Sequence, residues 1–134
     1  MTIHKPSVEH YLEGKLHCEN GPALEYPNGY KEWYLNGVRH RTDGPAIECG
    51  NKYWYVNGKR HRTDGPAIEF ANGDKFWYLN GERHRTDGPA VEWVSGYKAW
   101  LVNNKQITVE NHRSFIDDYS DLVNQFLAHE AINK

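Results

Sequence analysis

Three copies of a His-Arg-Thr-Asp block carry most of the side chains that could perform chemistry. They occupy residues 40–43, 61–64 and 84–87. The histidines His40, His61 and His84 suggest a metal site, but equivalent positions in a meander with two strands per repeat lie about 9.6 Å apart. Metal–nitrogen bonds are only about 2.0–2.1 Å long, so one ion cannot bridge neighbouring repeats. We therefore expect no bound metal, and a structural histidine stacked on the tryptophan opposite it.

Each block also offers a His–Asp pair, which suggests acid–base catalysis. The aspartates Asp43, Asp64 and Asp87 all precede Gly-Pro, where an Asp side chain ordinarily bonds to nearby backbone amides of a turn. An active site is normally one place with unlike parts, whereas every candidate here exists in three near-identical copies without a singular nucleophile. The expectation is a protein that is not an enzyme and needs no cofactor.

Two arginines in each central repeat raise the third hypothesis, recognition of phosphate. Arg41, Arg62 and Arg85 stand in the blocks, and Arg39, Arg60 and Arg83 lie two residues earlier, beside tyrosines. Arginine forks suit phosphates and aromatic faces suit bases. Glutamates predicted on the same face can neutralise them, so a structural Glu–Tyr–Arg network and a ligand site both stay open.

The elements that position these residues follow from an internal repeat. The histidines of successive units are separated by 23, 21 and 23 residues. Between the blocks recur Trp33-Tyr-Leu-Asn-Gly37, Trp54-Tyr-Val-Asn-Gly58 and Trp77-Tyr-Leu-Asn-Gly81, followed by a decayed copy ending at Asn104. The predicted units are 17–39, 40–60, 61–83 and 84–106, with a partial unit before them. Together they form an array over residues 1–106.

Two turns per unit predict an antiparallel meander. Asn-Gly between aromatic and apolar residues favours a type I′ hairpin, which places Tyr34 opposite Arg39 and Trp33 opposite His40. A second two-residue turn at Asn28-Gly29 would place Leu24 opposite Trp33.

The shorter second unit supports the meander, because losing two residues preserves which face each side chain occupies, whereas losing one would not. The expected result is one rung fewer, with Cys49 opposite Lys52, Glu48 opposite Tyr53, and Ile47 opposite Trp54.

Period-two alternation then assigns two faces. One carries Trp33, Leu35, Leu24, Ile47 and their equivalents. The other is the candidate binding face, made of Glu, Tyr and Arg side chains: Tyr34, Arg39, Glu48, Tyr55, Arg60, Glu69, Tyr78, Arg83 and Glu92, with Arg41, Arg62 and Arg85 as secondary candidates.

The end of the chain differs from its middle. Ser114 opens a capping-box-like sequence, and apolar residues then recur at helical spacing through Leu127. We predict one amphipathic C-terminal α-helix over residues 114–131 within a separate segment, 107–134. It either covers the open end of the sheet or makes contacts with a partner, for which Tyr119, Leu122 and Phe126 are candidates.

Composition excludes several classes. The 134 residues contain 16 basic and 18 acidic side chains, too balanced for a generic polyanion binder. No long apolar run is present, so we expect no membrane association. The start of the sequence lacks the apolar stretch of a signal peptide, which favours the cytoplasm. Cys18 and Cys49 do not have the Cys-x-x-Cys spacing of metal ligands, and in a reducing cytoplasm we expect them to be free thiols.

The pattern x-W-Y-x-N-G-x-x-H-x-x-D-G-P-A-x-E resembles MORN-type repeats, in particular their divergent variants. The resemblance covers roughly residues 8–106 and depends on the three Trp-Tyr-x-Asn-Gly segments and the second glycine turn. Tandem units that end in a segment like Asn103-Asn-Lys-Gln-Ile-Thr108 also look like small proteins of tailed bacteriophages and large DNA viruses. This resemblance implies a β-hairpin array without catalytic residues.

The function expected from these observations is binding of another protein through the repeat surface. Regular arrays present extended surfaces whose usual work is recognition of macromolecules. The viral resemblance implies, as its most concrete form, a phage-encoded inhibitor of a host defence system such as CRISPR, acting in the host cytoplasm. The alternative is a nucleotide or nucleic-acid binder that uses the Arg and Tyr side chains. A homodimer is left open, because a meander has edge strands that need protection.

Overall fold

The computed structural model describes residues 5–107 and the single residue Leu127. Within them the chain forms strands of two residues each: β1 Val8–Glu9, β2 Tyr11–Leu12, β3 Lys15–Leu16, β4 Leu24–Glu25, β5 Lys31–Glu32, β6 Tyr34–Leu35, β7 Val38–Arg39, β8 Ile47–Glu48, β9 Lys52–Tyr53, β10 Tyr55–Val56, β11 Lys59–Arg60, β12 Ile68–Glu69, β13 Lys75–Phe76, β14 Tyr78–Leu79, β15 Glu82–Arg83, β16 Val91–Glu92, β17 Lys98–Ala99, β18 Leu101–Val102 and β19 Lys105–Gln106.

Nine of these strands make one antiparallel sheet, in the order β1-β4-β5-β8-β9-β12-β13-β16-β17. The other ten form five two-stranded hairpins: β2-β3, β6-β7, β10-β11, β14-β15 and β18-β19. We call these five hairpins the hairpin row. The predicted mainly β meander of hairpin repeats is confirmed, with the added detail that each unit contributes both to a continuous sheet and to a separate hairpin.

A tryptophan joins the sheet to the hairpin in each unit. Trp33 lies between β5 and β6, and its N–H donates to the carbonyl of Ala46 at 2.8 Å. The Trp33 carbonyl accepts from the N–H of His40 at 3.1 Å, which confirms the predicted pairing of these two residues. The backbone is therefore hydrogen-bonded on both sides of the junction although the two strand ladders are distinct.

The Asn-Gly hairpins have the predicted register. Tyr34 pairs with Arg39 and Leu35 with Val38. The tip residues Asn36 and Gly37 have φ of 50° and 82°, as a type I′ turn requires at both central positions.

The second turn corrects the predicted register by one residue. The N–H of Tyr26 donates to the Tyr30 carbonyl at 2.9 Å, and the N–H of Gly29 donates back to the Tyr26 carbonyl at 2.9 Å. The loop therefore has three residues rather than two, with Gly29 at φ 93° as the extra left-handed residue of a bulged turn. Leu24 consequently lies opposite Glu32, not opposite Trp33.

The short unit shows the same shift. Ile47 pairs with Tyr53 and Glu48 with Lys52, so the predicted partners Trp54 and Tyr53 were wrong by one position. The N–H of Cys49 donates to Asn51 rather than facing Lys52, which leaves a loop of one residue, Gly50. Compared with the longer units, the short unit therefore lacks two loop residues and not a pair of strand residues. All strand pairs of the sheet are kept.

The core of the array is thin and built from small side chains. Ala23, Ala46, Ala67 and Ala90, which follow the prolines of the four units, are completely buried. One cluster joins Ala67, Ile68 and Tyr78 with partly buried aromatic residues, and another joins Ala90, Val91, Ala99 and Leu101. Leu35, Val56 and Leu79 are only half-buried. Apolar side chains of the hairpins therefore contribute to an accessible surface.

The predicted helix over residues 114–131 lies outside the described part of the chain, except for Leu127, which is helical and half-buried. The candidate contacts Tyr119, Leu122 and Phe126 fall outside it too. Among the described residues, no helix has the length and apolar character needed to cross a bilayer. Cys18 and Cys49 are both free thiols.

Candidate binding faces

The histidines join neighbouring hairpins. Nδ1 of His40 accepts the N–H of Asn57 at 3.0 Å, at the tip of the next hairpin. Two backbone bonds accompany it: Gly58 N–H to the Arg39 carbonyl at 2.8 Å and Arg41 N–H to the Tyr55 carbonyl at 3.0 Å. His17, His61 and His84 make the same Nδ1 contact with the next tip at 2.9–3.0 Å. The sequence predicts a histidine stacked on the opposite tryptophan and does not predict this acceptor contact; the group that lies over Trp33 is the guanidinium of Arg41.

The guanidinium of Arg41 lies over the indole of Trp33, with Cζ 3.8 Å from the ring centroid. Its Nε donates to Asp43 Oδ1 at 2.9 Å and its Nη1 to the Pro45 carbonyl at 3.0 Å, while Glu48 Oε1 lies 3.4 Å away. A planar fork stacked on an aromatic ring is an arrangement that Lys could not reproduce.

The same geometry recurs at Arg62 over Trp54 and Arg85 over Trp77, each with Cζ 3.9 Å from the ring centroid. Nε of each donates to the block aspartate at 2.8 Å and Nη1 to the following proline carbonyl at 3.0 Å. We call Arg41, Arg62 and Arg85 the indole-stacked arginines. They were secondary binding candidates, and the structure engages them within the fold.

The aspartates of the blocks face solvent. The side chain of Asp43 is 85% exposed, whereas that of its partner Arg41 is 20% exposed. The hydrogen bond and charge of Arg41 lower the pKa of Asp43, and Arg62 does the same to Asp64. Each block therefore presents its aspartate outward while the guanidinium lies against the indole.

The second set of arginines forms a ladder with tyrosines on the hairpin row. Cζ of Arg39 lies 5.9 Å from the ring centroid of Tyr34 and 5.6 Å from that of Tyr55, so it sits between two units. Arg60 lies 5.5 Å from the Tyr78 centroid, and Arg83 Nε donates to the Tyr78 hydroxyl at 3.2 Å. We call Arg39, Arg60 and Arg83 the arginine column. These six Tyr and Arg candidates are brought together as predicted.

Carboxylates are scarce beside the arginine column. Glu32 Oε1 accepts the hydroxyl of Tyr34 at 3.0 Å and lies 3.6 Å from Arg39 Nη2. Burial and this carboxylate raise the pKa of Tyr34. The positions equivalent to Glu32 in the next two units hold Tyr53 and Phe76.

In the described residues, Arg60 and Arg83 accordingly form no ion pair. The buried Nε atoms of Arg39 and Arg60 have no hydrogen-bond partner there.

The candidate glutamates lie with the other arginine set. Glu48, Glu69 and Glu92 lie 3.4, 3.6 and 3.6 Å from Nη1 of Arg41, Arg62 and Arg85. In the nine-stranded sheet each is paired with lysines, as Glu48 is with Lys31 and Lys52. The proposed face of nine residues is therefore divided in two, and the one-residue register shift is the reason.

Charge separates along the same division. The hairpin row, residues 11–17, 34–40, 55–61, 78–84 and 101–107, has six basic and two acidic side chains. The sheet strands with their turns, residues 8–9, 24–32, 47–53, 68–76 and 91–99, have four basic and seven acidic ones. A chain that is nearly neutral overall thus presents a positive row, net +4, beside a negative sheet, net −3.

Within the described residues, no group of three or more His, Cys, Asp or Glu side chains is placed to hold a metal ion. Comparisons of the chain with protein-family models, with curated proteins and with solved structures found no match.

Proposed function

We propose that this protein is a non-enzymatic binding protein whose hairpin row recognises an acidic patch on another protein. The observation that carries the proposal is the arginine column: Arg60 and Arg83 form no ion pair among the described residues, in a row with net charge +4. Arginine is enriched where interfaces concentrate their binding energy, and carboxylates accept its fork in bidentate geometry.

The tyrosines favour a protein ligand over a nucleobase. Sequence-tolerant binding of bases uses exposed aromatic faces as stacking platforms. Here guanidinium groups lie beside the rings of Tyr34 and Tyr55, and Tyr78 is only 8% exposed. The alternative of a nucleotide or nucleic acid keeps one support, the affinity of arginine forks for phosphate.

The absence of catalysis is part of the proposal. Its support is that the side chains that suggested acid–base chemistry have structural tasks: the Nδ1 atoms of His40, His61 and His84 accept backbone N–H groups, and the block aspartates hold arginines. The most concrete form of the proposal is a phage-encoded inhibitor that binds a host defence complex in the host cytoplasm. That form is supported by the resemblance of the repeats alone.

Capture from bacterial lysate tests the proposal. The test variant replaces Arg39, Arg60 and Arg83 by Gln. A matched control replaces Lys31, Lys52 and Lys75 of the sheet by Gln and so removes the same charge. Mass spectrometry identifies the retained protein and measures its amount. We expect the retained amount to fall at least tenfold with the arginine variant and to stay unchanged with the lysine control.

Equal retention by both variants would show that the contact surface lies outside the hairpin row. Loss of the captured material after nuclease treatment, with binding that falls steeply with salt, would support the nucleic-acid alternative instead. Thermal unfolding of all three proteins verifies that each variant is folded.

A further inference from the structure

The two ends of the hairpin row differ in how deeply their apolar side chains are buried. The first hairpin, β2-β3, has a neighbouring hairpin on one side alone among the described residues, and its Tyr11 and Leu12 are 56% and 49% exposed. The last hairpin, β18-β19, is joined to β14-β15 and precedes no hairpin in the described part of the chain. Its Leu101 and Val102 are nevertheless only 8% and 0% exposed. The last hairpin is therefore covered by a part of the molecule that does not reach the first one.

Val102 shows the difference most clearly. The equivalent residues of the three central hairpins, Leu35, Val56 and Leu79, are half-buried although each of these hairpins lies between two others. Val56 has the same side chain as Val102, so the size of the residue does not explain the difference. A terminal hairpin should expose more apolar surface than a central one, because it lacks the contacts of one neighbour. The burial of Val102 has the opposite sense.

Trp100 lies on the same face of the hairpin as Val102, just as their equivalents Trp77 and Leu79 line one cavity. Trp100 is 7% exposed, whereas the tryptophans of the central hairpins are half-buried beneath the indole-stacked arginines. Each of those arginines follows its tryptophan by eight residues, and the residue eight positions after Trp100 is Thr108. An arginine of the repeat is therefore not the group that covers Trp100.

Residues 108–134 are the part of the chain that can reach this face. They follow directly on the last hairpin, whose second strand ends at Gln106. Residues 1–4, the other residues outside the described part, precede β1 at the opposite edge of the nine-stranded sheet. Four residues span at most about 14 Å, much less than the width of nine strands at about 4.8 Å between neighbours. The cover over Trp100 and Val102 therefore comes from residues 108–134.

The composition of residues 108–134 suits this contact. Apolar residues recur at helical spacing from Phe115 to Leu127, and Leu127 is helical and half-buried. The segment contains five acidic and two basic side chains, so its net charge of −3 is opposite to the +4 of the hairpin row. An apolar stripe with acidic flanks complements an apolar face at the end of a basic row.

We propose that the face of the last hairpin formed by Trp100 and Val102 is a docking surface for residues 108–134 of the same chain. The apolar stripe of the segment, which includes Leu122 and Phe126, packs on this face in the place that the next hairpin would take. The segment thereby closes the array, as terminal caps do in other repeat proteins. The docking surface contains no residue of the arginine column, so the inference is independent of the proposed function.

Thiol labelling of the full chain measures the cover. Val102→Cys places a thiol on the docking surface, and Leu12→Cys places one at the equivalent position of the first hairpin. Mass spectrometry separates the label at the new thiol from any label at Cys18 or Cys49. We expect iodoacetamide to modify the Val102→Cys thiol at least a hundredfold more slowly than the Leu12→Cys thiol. Equal rates in the two folded variants would overturn the proposal.

Substitutions in the segment identify the occupant. Adding Leu122→Asp and Phe126→Asp to the Val102→Cys chain should raise the labelling rate at least tenfold, because charges on the apolar stripe oppose its burial. The matched control, Ser120→Asp with Asn124→Asp, adds the same charge at the same spacing, about 200° around the axis of the predicted helix. It should leave the labelling rate unchanged. A rate that stays slow in both variants would exclude the segment as the cover.

Hydrogen exchange of the unaltered chain tests the same contact without any substitution. Docked segments exchange their amide hydrogens slowly. We expect residues 114–131 to exchange at least a hundredfold more slowly than an unstructured chain, which exceeds the protection that an isolated helix of this length has in water. Exchange at the unstructured rate would overturn the proposal. Protection that disappears on dilution would assign the cover to a second copy of the chain and overturn the proposal as well.

Discussion

At each boundary between the central units, two arginines lie two residues apart, and their surroundings differ completely. Arg62 stacks on Trp54, donates to Asp64 and to the Pro66 carbonyl, and is 21% exposed. Arg60 lies over the ring of Tyr78 and interacts with the hydroxyls of Tyr55 and Tyr78, while its Nε has no hydrogen-bond partner. The same residue type, repeated at the same interval, is therefore held by a carboxylate and a backbone carbonyl at one position and lies among tyrosines without an ion pair, in the described residues, at the other.

The carboxylates account for the difference. Arg62 has Asp64 on its own loop and Glu69 at 3.6 Å, whereas the position that gives Arg39 its Glu32 is occupied beside Arg60 by Tyr53. A repeated pattern of arginines alone therefore does not distinguish a guanidinium paired with carboxylates from one without an ion pair. The neighbouring acidic residues do.

Truncating the indole-stacked arginine should have the largest effect on stability. Arg62→Ala removes the indole stack and leaves the Pro66 carbonyl without its donor, so we expect the free energy of unfolding to fall by about 2–3 kcal/mol. Arg62→Lys should recover less than half of this, because Lys lacks the planar fork. Urea denaturation measures both, and a loss below about 0.5 kcal/mol for Arg62→Ala would contradict the structural role.

A methyl group at Gly65 should act through the same arginine. A Cβ on Gly65 would lie 2.9 Å from Cζ of Arg62, so the guanidinium would have to shift from its position over the indole. We expect Gly65→Ala to lower the free energy of unfolding by about 1–2 kcal/mol. In the Arg62→Ala background the same change should cost little, and a double-mutant cycle gives the coupling. Additive losses would show that Gly65 acts independently of the arginine.

Between pH 8 and pH 5 the dependence of stability on pH should include a contribution from His84, because Asp43 and Asp64, paired with indole-stacked arginines, titrate at lower pH. Burial lowers the pKa of His84 below its ordinary value of 6.5. The unfolded chain therefore binds the proton more readily, so this contribution to stability is complete above about pH 6.5 and declines as the pH falls below it. Protonation at Nδ1 would also remove the acceptor for the Asn103 N–H.

Urea midpoints between pH 8 and pH 5 measure this decline. The difference between the native chain and His84→Phe, which cannot titrate, isolates the contribution of His84 from those of the other histidines. The native chain should lose more stability than the variant on acidification. Parallel curves would assign the pH dependence to other groups.

The smallest effect on stability is expected at the arginine column. Arg60→Ala removes contacts with Tyr55 and Tyr78 on a partly exposed surface but also removes a buried Nε that has no partner, so the free energy of unfolding should fall by less than about 1 kcal/mol. Binding of the acidic partner should nevertheless weaken severalfold. A destabilisation as large as that of Arg62→Ala would show that Arg60 and Arg62 contribute equally to stability, which contradicts the comparison.

The sequence predicts the hairpins because their turns are local. Asn36-Gly37 determines its own turn type and hence the pairing of Tyr34 with Arg39. At Asn28-Gly29 the dipeptide is the same, but the loop begins one residue earlier, at Pro27, and contains a bulge. A dipeptide pattern does not specify loop length, so the register of the sheet strands was wrong by one residue.

The error in register carried over to the candidate site. It placed Glu48 with Tyr34 and Arg39, whereas Glu32 is the carboxylate beside them and Glu48 faces Arg41. The indole stack was not predicted either. A signal for it exists, since each unit repeats an Arg-Thr-Asp-Gly-Pro sequence at a fixed interval from a Trp, but the partner of each Arg lies across strands and depends on the register.

The bonds that join one hairpin to the next have a consequence for how such a chain can evolve. His40 to Asn57, Gly58 to Arg39 and Arg41 to Tyr55 connect adjacent hairpins alone, and the same set recurs between the next two hairpins. Duplicating or deleting one whole unit would create no new kind of contact. The number of units can therefore change by single genetic events. Each event would lengthen or shorten the array by one repeat and leave the other contacts between hairpins unchanged.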